Sequence, residues 1–137
     1  MCKSMRGLAY NQAEANCCFC LPQKNNIIFE DAFSYVYIDQ FPVSPGHSLI
    51  IPKRHVESFF DANIQEVESI WNLLKVRKDL ILMNDKTVSG FNIGINVGRA
   101  AGQSIFHLHV HLIPRRDGDI KNPKGGVRGV IPNKMQY

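Results

Sequence analysis

"GQSIFHLHVHLIP", residues 102–114, holds three of the chain's five histidines, at positions 107, 109 and 111, each followed by an aliphatic residue. This alternation has the period of a β-strand, in which residues i, i+2 and i+4 share a face. It predicts a strand over 105–113, with His107, His109 and His111 on one side and Leu108, Val110 and Leu112 on the other. Same-face neighbours then lie roughly 7 Å apart and the outer pair about 13 Å. A zinc–nitrogen bond is only about 2.0–2.1 Å long, so three histidines in a straight row do not share one ion. At least one has another task. The turn before the strand adds to the pattern. Gly102 permits close backbone approach, and Gln103 and Ser104 offer side-chain donors beside backbone N–H groups, a cradle suited to phosphate. It lacks the Lys-Ser/Thr ending and the following helix of a Walker loop.

Upstream, "FNIGINVG", 91–98, alternates in the same way and predicts a half-buried strand joined to the histidine strand by "RAAGQS". "IIFEDAFSYVYID" predicts a hairpin with strands near 26–30 and 33–38. "QFPVSPGH" must be a loop, and "HSLIIP", 47–52, predicts a short buried strand. Between these strands lies one long helical pattern. Apolar residues recur at 64, 67, 70, 71, 74 and 81, with Glu66, Glu68, Asn72, Lys75 and Asp79 on the opposite face. Asn63 and Glu66 have capping-box spacing, and the helix is expected to end near 84–85. About five strands and one inserted helix make an α+β pattern. The expected organisation is a flexible lead over 1–15, a folded domain over 16–118, and a Gly- and Pro-rich basic tail over 119–137.

The 137 residues suit a single domain. A formal charge of +4 and a pI near 9.0 favour anionic partners such as nucleotides. No signal-peptide pattern or membrane-length apolar run is visible, which places the chain in the cytoplasm with reduced thiols. The four cysteines, Cys2, Cys17, Cys18 and Cys20, cluster near the N-terminus. A disulfide framework is not expected. Cys17 and Cys20 have the Cys-x-x-Cys spacing of half a zinc site. Cys18 competes with them as a ligand, and Cys2 has no assigned role.

"HLHVHLI" resembles the signature of the histidine triad superfamily, His-φ-His-φ-His-φ-φ. The likeness runs in order over about residues 17–119 and includes "IIFEDAFSYVYID", "DQFPVSPGHSLIIPKRH", "NVGRAAGQS" and "IPRRDGD". It is nearest to bacterial members akin to the fragile-histidine-triad dinucleoside polyphosphate hydrolases. It implies an antiparallel sheet of about five strands with the long helix against it, and a homodimer, for which the surface around Trp71 is a candidate. It implies chemistry at the α-phosphate of a nucleotide through a nucleotidyl-histidine. His109 would be the nucleophile, a role that suits a neutral imidazole near pH 7. His111 would contact the phosphate and His47 would support the site. Gly102, Gln103, Ser104 and Asn96 would hold phosphate, Asp39 would reach ribose hydroxyls, and Phe29 and Tyr37 are candidates for an apolar base pocket. In zinc-containing branches of the superfamily, two cysteines and two histidines surround a structural zinc. Here these would be Cys17, Cys20, His55 and His107.

The implied substrate is a dinucleoside polyphosphate such as diadenosine tri- or tetraphosphate, with magnesium accompanying it. A nucleoside phosphoramidase, an aminoacyl-adenylate hydrolase or a nucleotidyl transferase would use the same intermediate. A zinc protein that binds nucleotide or nucleic acid without catalysis is the reading from another class. Arg115, Arg116, Lys121, Lys124, Arg128 and Lys134 either form a solvated basic surface or hold polyphosphate.

Overall fold

The structure is a computed structural model that describes residues 16–137; the expected lead over 1–15 and Cys2 lie outside the described residues. Five antiparallel strands form one sheet in the order β1-β2-β3-β5-β4. They are β1 (Ile27–Glu30), β2 (Ser34–Ile38), β3 (Ser48–Pro52), β4 (Val88–Ile95) and β5 (Val110–Arg116), with helix α1 (Ile64–Asn84) inserted between β3 and β4. The α+β expectation holds.

Alternation divides the core into two layers. Val36, Ile50, Val110 and Leu112 face α1 and pack with Ile70, Leu73, Leu74 and Ile81. Tyr35, Tyr37, Leu49 and Ile51 face the other way and are covered by Cys17 and Phe19. The histidine face belongs to this second side.

The histidine strand starts later than its alternation predicts. Its ladder with β3 runs only from Ser48↔Leu112 to Ile50↔Val110. Pro52 has no N–H to continue the ladder, and the chain beyond β3 turns away. The Leu108 N–H donates instead to the Val56 carbonyl at 2.6 Å, and the His107 ring donates to the Pro52 carbonyl at 2.7 Å. His107 and His109 therefore precede the regular strand. At its other end β5 runs past Pro114 to Arg116, paired with β4. The Pro114 carbonyl accepts from Ser44 Oγ at 2.7 Å, so the missing N–H also faces that loop and interrupts no bond to β4. β4 itself begins at Val88 and stops at Ile95, before Asn96.

The start of α1 is the capping box expected from Asn63 and Glu66. Glu66 is not on the polar face, however. It is 2% exposed, accepts the Asn63 N–H at 3.0 Å and receives two donors from Arg54. This ties the helix start to the residue beside His55. Ile64 and Trp71 are exposed instead, Trp71 by 56%, because the buried face follows 66, 69, 70, 73, 74 and 81. Glu66→Ala removes a cap acceptor and the carboxylate that Arg54 pairs with. The expected loss is about 1–2 kcal/mol, read as a lower urea midpoint at unchanged m.

Candidate functional site

Hydrogen-bond partners fix which nitrogen of each imidazole carries its proton. His109 Nδ1 lies 2.8 Å from the His107 carbonyl. A carbonyl only accepts, so Nδ1 carries the proton and Nε2 is left with its lone pair. His47 is set the other way. The Val43 N–H donates to His47 Nδ1 at 3.1 Å, so the His47 proton is on Nε2. That Nε2 lies 2.9 Å from His111 Nδ1, which must accept. The remaining N–H of His111 is then Nε2–H, a donor for an anion. Asp39 Oδ2 lies 3.4 Å from His47 Nε2 and 4.0 Å from His111 Nδ1, while Oδ1 accepts the Phe41 N–H.

The loop between Asp39 and His47 is held rigidly. The Asp39 N–H donates to the His47 carbonyl and the His47 N–H to Ser44. Gly46, at φ +92, uses the left-handed region, and a Cβ there would approach Pro114 to 3.2 Å. Arg116 donates to the Pro45 carbonyl and pairs with Asp85, whose carboxyl it holds at about 2.

Burial, with the His109 and His47 rings nearby, pushes His111 down to about 4 against the pull of Asp39. Burial also lowers His47. Both are neutral at pH 7. An unfolded histidine titrates near 6.5, so between about 6.5 and about 4 the unfolded chain takes up protons that the folded chain refuses. Stability falls as pH falls through that window. His111→Asn is expected to flatten the slope of Tm against pH there; an unchanged slope contradicts the assignment.

His107 belongs to a second cluster. Cys17 Sγ lies 3.4 Å and Cys20 Sγ 3.5 Å from His107 Nδ1, and Cys20 Sγ lies 3.2 Å from His55 Nδ1. The four donor atoms all fall within 4.8 Å of one another. In a tetrahedral zinc site a sulfur–nitrogen edge is roughly 3.5 Å, given Zn–S near 2.3 Å and Zn–N near 2.05 Å. The tautomer fits as well. His107 donates Nε2–H to Pro52, which leaves Nδ1 free to bind, the usual arrangement of a ligating histidine. Cys18 lies outside this set.

Asp39, His47 and His111 also lie within 4.8 Å of one another. Here the tautomer argues against a metal. His47 Nδ1 accepts a backbone N–H, so ligation through Nε2 would need an imidazolate. His47 and His111 form a hydrogen-bonded pair with Asp39 beside it. No group of three carboxylates gathers among the described residues to hold magnesium.

Other expected residues fall in different places. Ser104 is exposed at the mouth of the turn, and Asn96 is half-buried just beyond β4. Gly102 is left-handed, at φ +87, and nothing lies within 4 Å of a Cβ built there, so the turn itself requires the glycine. Gln103 braces that turn. Its Oε1 accepts the Gly98 N–H, and its amide donates to the Glu57 and Ile105 carbonyls. Those donors are occupied rather than offered to phosphate. Phe29 packs on the α1 side, away from His109, which removes it from a base pocket beside Tyr37. Tyr37 is in the other layer and accepts from Asn26. Arg115 pairs with Asp119 and Asn92, and Lys124 and Arg128 lie over the Tyr137 ring. These basic residues are engaged within the chain.

The model of the HIT domain matches residues 22–118. The chain belongs to the histidine triad family. Within it, a histidine triad family protein from Mycobacterium smegmatis whose crystal structure is described as zinc-bound is 32% identical, with a TM-score of 0.70; the match covers 77% of this chain and 79% of that one. A bis(5'-adenosyl)-triphosphatase of Dictyostelium discoideum is 32% identical over 74% of this histidine triad protein and 68% of its own length. An adenylylsulfatase of Arabidopsis thaliana is 37% identical over 67% of this chain and 46% of its own. Sequence reasoning passed over Phe19, although its position inside the Cys-x-x-Cys turn placed it beside the histidine line. Its ring lies 5.2 Å from that of His109.

Proposed function

We propose that this histidine triad protein hydrolyses dinucleoside polyphosphates at the α-phosphate. The observation that carries the reading is the His109 tautomer: its Nδ1–H is held by the His107 carbonyl and its Nε2 lone pair is left for attack. Attack forms an Nε2–phosphorus bond and breaks the bond from phosphorus to the bridging oxygen, which departs with the remaining nucleotide. The His111 Nε2–H hydrogen-bonds the phosphate or the leaving oxygen as its charge grows. The positive charge on the His109 ring is stabilised by the carbonyl on Nδ1. Water then attacks the same phosphorus, the nitrogen–phosphorus bond breaks, and nucleoside monophosphate leaves. Asp39, with Oδ2 3.4 Å from His47 Nε2, would support His47 and reach ribose hydroxyls. On this reading Ser104, Asn96 and the turn at Gly102 would hold phosphate oxygens.

We assign a structural zinc to Cys17, Cys20, His55 and His107. The donor set and the zinc-bound Mycobacterium relative support it. The ion would cross-link the turn at 17–20 to the sheet and would not itself contact the substrate. We also propose a homodimer; sedimentation should then give twice 15.5 kDa.

The test is a panel of diadenosine tri- and tetraphosphate, adenylyl sulfate, an adenylyl amide and an aminoacyl adenylate. The reading predicts the highest kcat/KM on a dinucleoside polyphosphate, with nucleoside monophosphate as one product. Preference for adenylyl sulfate moves the protein to the substrate class named by its Arabidopsis relative, and preference for an amide makes it a phosphoramidase. No turnover on any of them leaves a nucleotide-binding protein.

A further inference from the structure

His109 stands one residue before β5 begins, so the β ladder does not hold it. Besides the edge contact with the His111 ring at 5.2 Å, two contacts fix its ring, and both involve the four-donor cluster. The first is the bond from Nδ1–H to the carbonyl of His107, itself a cluster residue. His107 is immobilised through its side chain, with Nδ1 toward the two sulfurs and Nε2–H on the Pro52 carbonyl. The second is Phe19. It lies between Cys17 and Cys20, is 5% exposed, and meets three rings edge-on: His109 at 5.2 Å, His107 at 6.0 Å and Tyr37 at 6.0 Å. The turn that carries it is anchored to the sheet, since Tyr35 Oη donates to the Phe19 carbonyl at 2.6 Å.

A ring with a hydrogen bond at one nitrogen can still rotate about χ1 and χ2 if the space beside it is open. Phe19 fills that space. Cys17 and Cys20 hold its turn together with the Tyr35 bond, so loss of the ion would loosen the Phe19 ring and the His107 carbonyl together. We propose that Phe19 is a positioning residue for His109, and that occupancy of the Cys17–Cys20–His55–His107 site sets the orientation of the nucleophile through Phe19 and the His107 carbonyl. The catalytic consequence rests on the reading of His109 as nucleophile; the geometric claim does not.

The experiment uses the full chain, zinc-loaded with metal content measured, and follows the His109 Nδ1–H signal by imidazole nitrogen–proton NMR. Wild type is compared with Phe19→Leu, which keeps an apolar side chain and loses the ring edge, and with wild type stripped by a chelator. In loaded wild type the Nδ1–H is expected to be protected from solvent exchange. In loaded Phe19→Leu its exchange should be at least about tenfold faster, with backbone signals of β2, β3 and β5 retained. The chelated protein should show the same effect. On the best substrate, kcat of Phe19→Leu should fall roughly ten- to hundredfold with KM within about threefold, the cost of a misplaced reacting group. Unchanged exchange and kcat in loaded Phe19→Leu overturn the proposal. So does a rise in KM alone, which would make Phe19 a wall of the binding site. If the chelated protein unfolds, loaded Phe19→Leu still decides. If wild type turns over no substrate, the hydrolase reading fails while the exchange measurement judges the positioning claim by itself.

Discussion

His109→Ala is expected to lower kcat by at least about 10⁴-fold, the scale seen when the group that forms a covalent intermediate is removed. Nucleotide affinity should stay within about threefold. The split follows from the site. His109 is buried, and its Nδ1–H goes to a carbonyl rather than to a ligand-facing group. It contributes a lone pair that matters when the bond to phosphorus forms. His111 loses one ring neighbour but keeps its bond from His47, and His47 and Asp39 keep their places. Ground-state binding therefore persists while the reaction stops. A variant that loses binding and turnover in equal measure would make His109 a binding residue. If wild type and variant are equally inert, the chain is a non-catalytic binder.

The second large effect concerns the metal. A strong chelator, or Cys17→Ser with Cys20→Ser, is expected to lower Tm by at least about 10 °C. Metal analysis of wild type should give one zinc per chain. Bound metal favours the folded state because the unfolded chain has no preformed site. Here the cluster ties the turn at 17–20 to His55 after β3 and to His107 before β5. It also holds Phe19 and Cys17 over the second core layer, so its loss uncovers Tyr35, Tyr37, Leu49 and Ile51. At about 3–5 °C per kcal/mol for a domain of this size, 10 °C corresponds to roughly 2–3 kcal/mol. Two zinc ions per chain would mean that Asp39, His47 and His111 also bind, against the tautomer set by the Val43 N–H. No zinc in protein purified without chelator would leave the cluster as a set of reduced ligands and remove the assignment.

Much of this arrangement is legible in the residues because period-2 alternation and the capping box are local properties. The hairpin of β1 and β2, strand β3, the extent of α1 and the opposite facing of the aliphatic and histidine rows follow directly. Contacts set by distant chain segments do not. Pro52 ends the ladder on β3 and so delays β5 to Val110, an effect that needs the pairing of the two strands. Glu66 looks solvent-facing on a helical wheel until Arg54 is brought beside it. Gln103, beside Ser104 in a phosphate-like turn, uses its amide on backbone carbonyls across the loop. Arg115 and Arg116 look like polyphosphate ligands in a basic tail, yet Asp119 and Asp85 hold them. Phe29 has the composition of a base-pocket residue but sits on the α1 side of the sheet. The spacing argument survives in a sharper form. His107 is turned toward Cys17, Cys20 and His55, and His109 and His111 are held in complementary tautomers by the His107 carbonyl and by His47.

The most direct test of the central claim is to quench the wild-type protein in acid-free denaturant during turnover of a diadenosine polyphosphate and map the modified peptide by mass spectrometry. The account predicts one added adenylyl group on His109, absent in His109→Ala and lost on incubation with water. Turnover with no adduct under any quench, or an adduct on another residue, would contradict it.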